Sequence, residues 1–223
     1  MTSPIESANT PEGTAARTRP RIGRAPGSKN AAPQARAVRT REAIIAVAAR
    51  HFDTDGYGDT SMNTIAHAGN FAKGAMYYHF LSKEAIGNQL LSDWKRTVDE
   101  TIADAPAGST SSTAAAKITA IFTSLARQIT EDINLRAGMK LTLEPALDNV
   151  DGFAHWVDTI SKIVDTAIST GEIPDTPTTH RLAWNLCAGT VGAAHASASL
   201  ADDIDLATRI GDTVAAHIKS VSA

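Results

Sequence analysis

From Val38 to Ile218 apolar side chains return every third or fourth residue, and no run of useful length alternates apolar with polar. That rhythm predicts an all-α chain of about nine helices without a sheet. The stripes are Val38, Ile44, Ile45, Val47, Ala48 and Phe52; then Ile118, Ile121, Phe122, Leu125 and Ile129; then Phe153, Trp156, Val157, Ile160, Val164 and Ile168; then Ile210, Val214 and Ile218. Punctuation falls between them. Gly56 and Gly58 stop the first helix, Gly171 and Pro174 close another, and Pro145 is expected to kink or end a helix over residues 141–147. Thr178 or Thr179 reads as the start of a further helix, and Asp202 or Asp203 as the cap of the last.

Charge divides the chain more sharply than its net of -3 suggests. Of 21 Lys and Arg and 24 Asp and Glu, eight basic and two acidic residues fall in 1–41, which leaves 13 and 22 for the remainder. A basic arm on an acidic body is the pattern of a chain that meets a polyanion. Residues 1–37 hold almost no large apolar side chain and read as a flexible arm, with structure beginning near Val38. The run 105–112, APAGSTSS, reads as a loop between functional halves. No stretch approaches the roughly 18 apolar residues of a membrane span, and no apolar run near the start suits a signal peptide, so a cytoplasmic protein without a membrane partner is expected. The single cysteine, Cys187, lies among apolar neighbours and reads as a buried, inert thiol.

Residues 60–80, TSMNTIAHAGNFAKGAMYYHF, contain two short helices around a Gly-Asn break. Thr60 and Ser61 can cap the first, from Met62 to about His67, and the second runs from about Ala72 to Tyr78. Ser82 can then cap a longer helix reaching about Ile102. A short helix packed across a second whose outer face is small and polar is the plan of a helix-turn-helix. Ala72, Lys73, Gly74 and Ala75 make a narrow start with one cation. Tyr77, Tyr78 and His79 supply donors where phosphate oxygens would run, although for Tyr77 and Phe80 a plain core role is favoured.

AKGAMYYHF followed by SKE, after TSMNTIA, resembles the signature of TetR-type repressors, all-helical homodimers with an N-terminal DNA-binding domain and a larger ligand-binding domain. The resemblance implies domains at 38–84 and 85–223. It also implies that Thr60 and Ser61 touch the DNA backbone, that Lys73 and Gly74 face bases, and that Tyr78, His79 and Lys83 hold phosphates of a double-stranded palindromic operator, with Met62, Ala72 and Tyr77 at the same DNA-binding surface. One departure stands out: the family's turn glycine belongs at the position of Asn70, and here Gly69 comes a residue early.

The remainder resembles the γ-butyrolactone autoregulator receptors within that family. LRAGMKLTL (135–143), FAHW with Trp156, and Thr190 carry the likeness. It implies a small, hydrophobic signalling ligand; the residues themselves could anchor one with the Trp156 indole and the Thr190 hydroxyl, with Phe122, Leu143 and Leu186 as walls and Trp94 closing the chamber, although for Phe122, Leu143 and Leu186 plain core packing is favoured. Gly189, Gly192, Ala193 and Ala196 permit close helix approach and suit a homodimer interface. No cofactor or metal is expected. The seven histidines form no HExxH, and no CxxC or phosphate-binding loop is present, so catalysis by a helical enzyme is the remote reading. A TetR-type regulator of drug efflux, sensing a cationic or aromatic compound with Glu144 as a possible anchor, is the nearer alternative.

Overall fold

A computed structural model describes residues 31–105, 113–147, 150–199 and 204–221. The described residues form ten α-helices and no strand. Two compact units divide the chain, Met1–Ala37 and Val38–Ala223. Of the first, residues 31–37 are described, and they are helical; the basic stretch over 1–30 and the 105–112 loop beyond Ala105 lie outside the described residues.

Helix α1 spans Ala31–Thr54, so it begins seven residues before the expected Val38. AAPQARA explains the extension: alanine, glutamine and arginine are good helix formers, and Pro33 occupies the first turn, where an amide would lack a partner anyway. Helices α2 (Met62–Ala68), α3 (Lys73–His79) and α4 (Lys83–Asp104) follow. Ser61 caps α2 by accepting from the Thr64 amide at 3.0 Å, and Ser82 caps α4 by accepting from that of Ala85 at 3.3 Å.

The larger half contains α5 (Ala114–Glu131), α6 (Ile133–Leu141), α7 (Val150–Ser169), α8 (Pro177–His180), α9 (Leu182–Ser199) and α10 (Leu206–Val221). Three expectations shift here. The helix placed over 141–147 does not form: α6 ends at Leu141, four residues before Pro145, and 142–147 is a turn in which the Glu144 carboxylate accepts from the Ala146 amide. Residues before a proline avoid the helical region, so the stop precedes it. Thr176, rather than Thr178 or Thr179, caps α8, and α9 starts separately at Leu182. Asp202 and Asp203 lie outside the described residues, while Asp205 accepts from the Thr208 amide at the head of α10.

Two apolar clusters hold these helices. The smaller joins Ile44, Ala48, Phe52, Ile65, Met76 and Phe80 to Ile86 and Leu90 of α4 and to Ala137 and Leu141 of α6. The larger gathers Trp94 and Val98 of α4 with the apolar faces of α5, α7, α9 and α10. Helix α4 therefore contributes successive turns to both, and so does α6, whose Met139 belongs to the larger cluster. Cys187 is fully buried there, and desolvation pushes its thiol pKa up, as an inert thiol requires.

Candidate DNA interface and ligand chamber

The turn between α2 and α3 resolves the misplaced glycine. Asn70 itself adopts the left-handed conformation, φ 50°, which asparagine tolerates. The Asn70 amide donates to His67 O at 3.2 Å and the Phe71 amide to Ala66 O at 2.9 Å, the paired bonds of a Schellman close. Gly69 has an ordinary φ of -91° and is required for space: a Cβ there would lie 2.0 Å from the Phe71 ring. Gly69→Ala should therefore cost about 1 kcal/mol in urea unfolding, and less in a Phe71→Ala background, because the clash is with that one side chain.

Helix α3 is anchored through Met76, which is buried at its centre. Its outer surface carries Ala72, Lys73, Gly74 and Ala75, all exposed, and a Cβ added at Gly74 meets nothing within 4 Å. Among the described residues nothing demands glycine at 74. Tyr78 is 80% exposed with His79 edge-on to it at 5.0 Å. Tyr77 is 43% exposed, so the core role favoured for it is wrong; Phe80 is buried, under the Arg41 guanidinium at 4.9 Å. The seven-residue helix has one inward stripe, Met76 and then Phe80, and Tyr77 falls outside it.

Two candidates at this interface are committed elsewhere. Thr60 is buried, and its hydroxyl donates to Gly56 O at 2.8 Å, closing the loop before α2. The Lys83 ammonium donates to Tyr57 O at 2.7 Å and lies 4.1 Å above the Tyr57 ring, a grip between that loop and α4. Ser61 is exposed and Met62 half-buried, both at the head of α2. Tyr57 is buried with its hydroxyl unpartnered; desolvation, then the charges of Glu84 and Glu144, push its pKa up to about 12.

In the larger cluster Trp156 lies at the centre of an aromatic group. Trp94 meets it edge-on with centroids 5.1 Å apart, Phe122 stacks at 5.9 Å and Phe153 approaches at 6.3 Å. Trp94 and Trp156 are each 1% exposed, and among the described residues neither indole N–H has a hydrogen-bond partner. An unmade bond at a buried donor costs about 1–3 kcal/mol, so an acceptor brought to either indole would recover it. Leu186 is buried as expected. Thr190 is buried too, but its hydroxyl proton goes to Leu186 O at 2.8 Å, so toward a ligand it can only accept. Leu143 is 50% exposed on the turn after α6 and lines no chamber, because the helix meant to carry it ends two residues earlier.

Sequence reasoning missed a buried ionic group. Asp53, near the end of α1, receives Arg136 Nε at 3.2 Å on both carboxylate oxygens and Nη2 at 3.0 Å, and its Oδ1 lies 2.8 Å from Lys140 Nζ. The signal was present: Arg136 and Lys140 stand four apart inside the otherwise apolar LRAGMKL.

Residues 44–90 match the family described as bacterial regulatory proteins, tetR family. This stretch of the chain is a tetR-family domain. The chain is 29% identical over 143 residues, 64% of its own length, to the A-factor receptor protein of Streptomyces griseus, and the match spans 49% of that relative, about half. Among solved structures it is similar to TylP, a tetR regulator from Streptomyces fradiae, at 29% identity and a TM-score of 0.62, covering 84% of this chain and 89% of that one. It is also similar to CprB of Streptomyces coelicolor in complex with its operator sequence, at 25% identity and a TM-score of 0.61, covering 70% and 78%. The tetR-family match contains both helices of the helix-turn-helix and the first two turns of α4. Among the described residues no helix is long and apolar enough to cross a membrane.

Proposed function

We propose that this tetR-family regulator is a homodimeric repressor that holds a palindromic operator and releases it when a small, neutral γ-butyrolactone- or furan-like molecule reaches Trp94 and Trp156. The two buried indole donors without acceptors carry the reading of the ligand, since a lactone or furan ring supplies acceptor oxygens on an otherwise apolar body. A cationic drug would instead need a buried carboxylate; Glu144, the residue considered for that role, accepts from its own turn. In the proposed organisation residues 38–84 bind DNA and 85–223 sense and dimerise.

On the DNA side, α3 enters the major groove with Lys73 and Gly74 toward the bases, while Ser61, Tyr78 and His79 meet phosphates. Two copies would hold their α3 helices about 34–36 Å apart, one turn of duplex. A ligand that moves the dimer from 1:99 to 99:1 in favour of the released form needs about 5.5 kcal/mol of preference for it, shared by two sites. A mobility-shift assay on the DNA upstream of the coding sequence, with thermal-shift screening of alkyl γ-butyrolactones, alkyl furans and cationic dyes, tests both halves of the reading. Stabilisation by dyes alone would replace the lactone with the efflux reading. Lys73→Ala should weaken operator binding by about 1–3 kcal/mol and relax sequence preference if Lys73 reads a base.

The dimer reading is supported by α9. Its inner face is buried through Ala183, Leu186, Val191 and Ala194, yet its outer face is also apolar or small, with Trp184 58% exposed near Ala188, Gly192 and Ala196. A helix apolar all round belongs inside something. Alongside, a concavity of about 320 Å³ lined by Ala193, Ala196, Ile204 and Thr213 opens between α9 and α10. Trp184→Glu should leave a folded monomer in analytical ultracentrifugation at micromolar concentration, whereas the parent chain sediments as a dimer.

A further inference from the structure

We propose that Asp53, Arg136 and Lys140 form a clamp that sets the position of the DNA-binding helices, so that a displacement at the Trp94–Trp156 pair reaches α1 through these three side chains. This rests on the regulator reading above and names the residues through which its two halves communicate.

The clamp grips α1 by side chain and main chain together. Besides its contact with the carboxylate, the Lys140 ammonium donates to Asp53 O at 3.0 Å, one of the last carbonyls of α1 that the helix itself cannot satisfy. Arg136 spends Nε and Nη2 on the carboxylate and Nη1 on Ile129 O at 3.1 Å, which ties α1 to the end of α5 as well. Asp53 and Lys140 are 8% and 7% exposed. Desolvation of this size makes a buried ionic group a poor way to gain stability, and the best-attested use of such groups is to fix register. Here the register fixed is that of α6 against α1.

Another side of α6 lies on α4 at the turn that carries Trp94. Gly138, between the two clamp cations in sequence, lies flush on α4: a Cβ there would be 2.4 Å from Leu90 O and 3.2 Å from Trp94 Cβ. Helix α6 cannot slide past α4 at this point. A ligand that spreads the turn of α4 carrying Trp94 must push α6, and α6 is bolted to α1. A cavity of about 210 Å³ beside Asp53 and Arg136, bounded by Ala194 and Leu206, leaves the guanidinium space to yield.

The test has a sign that simple electrostatics does not share. Asp53→Asn removes a negative charge and, as a general field effect, would tighten DNA binding; a broken clamp should weaken operator binding by the unliganded full chain tenfold or more, with the salt slope unchanged, because no phosphate contact is lost. Gly138→Ala, which forces α6 off α4 without ligand, should weaken it comparably. The double variant should be within about twofold of Asp53→Asn, because both changes act along one path and cannot multiply. Unchanged or tighter binding by Asp53→Asn, or a double variant as weak as the product of the singles, overturns the proposal. Lys140→Gln serves if Asp53→Asn does not fold; because it removes a positive charge it is judged by its combination with Gly138→Ala alone, and a double variant as weak as the product of the singles overturns the proposal. If the parent chain retains no promoter duplex, the regulator reading falls. The clamp is then judged by amide hydrogen exchange over residues 50–54: Gly138→Ala should accelerate it at least tenfold in the parent and no further in Asp53→Asn, and an unchanged rate overturns it.

Discussion

Asp53→Ala is expected to lower stability by about 3–5 kcal/mol, because it strands Lys140, 6% exposed at its side chain, whose ion pair among the described residues is with Asp53. Arg136 can relax toward solvent, being 24% exposed, whereas Lys140 cannot. In a domain of this size the loss should appear as a fall in Tm of roughly 10 °C or more. Lys140→Met should cost less, since Asp53 keeps Arg136. The pH dependence follows from the same group. Burial alone would push the Asp53 carboxyl up, but hydrogen bonds from Arg136 and Lys140, with their charges, outweigh it and hold the pKa below the ordinary 3.8. The clamp's contribution is thus complete above about pH 5 and fades as pH falls through the lowered value, so thermal melts of parent and Asp53→Ala should converge in acid. Melts that stay parallel from pH 7 down to pH 2 would show that Asp53 is not the ionised centre of the group.

Trp156→Phe should reduce affinity for an alkyl γ-butyrolactone about 10–100-fold, the worth of a hydrogen bond from a buried donor, while changing the stability of the unliganded chain by less than about 1 kcal/mol. The small second effect is the informative one. Phenylalanine fills less of the space between Trp94 and Phe122, but it also removes a buried N–H that has no partner, and the two changes oppose each other. Calorimetric titration of both proteins, beside their thermal melts, separates the two quantities. Equal lactone affinity in the variant would remove Trp156 from the ligand's anchors.

Much of this was legible in the chain because period and punctuation are local properties. Ser61 and Ser82 cap the helices they were expected to cap, Gly171 closes α7 with a φ of 72°, and Asn70 takes the left-handed turn its side chain allows. The failures share one cause, contacts between residues distant in sequence. Whether Tyr77 or Met76 points inward depends on where α3 docks, and Lys83 looks like a phosphate ligand until the Tyr57 carbonyl takes it. Arg136 and Lys140 belonged to a motif read for its ligand, yet their partner Asp53 lies more than 80 residues earlier. Gly69 was read as a misplaced turn residue because nothing local announces that the Phe71 ring comes back over it.

Helix α4 is one continuous rod with its first turns in the smaller apolar cluster and its later turns in the larger. Heat or denaturant cannot dissolve the helix-turn-helix and spare the larger cluster, because losing either support frays the rod on which the other rests. The described helices should therefore melt as a single cooperative body, and damage among α5–α10 will be felt as loss of α1–α3 even where no residue of those helices has changed.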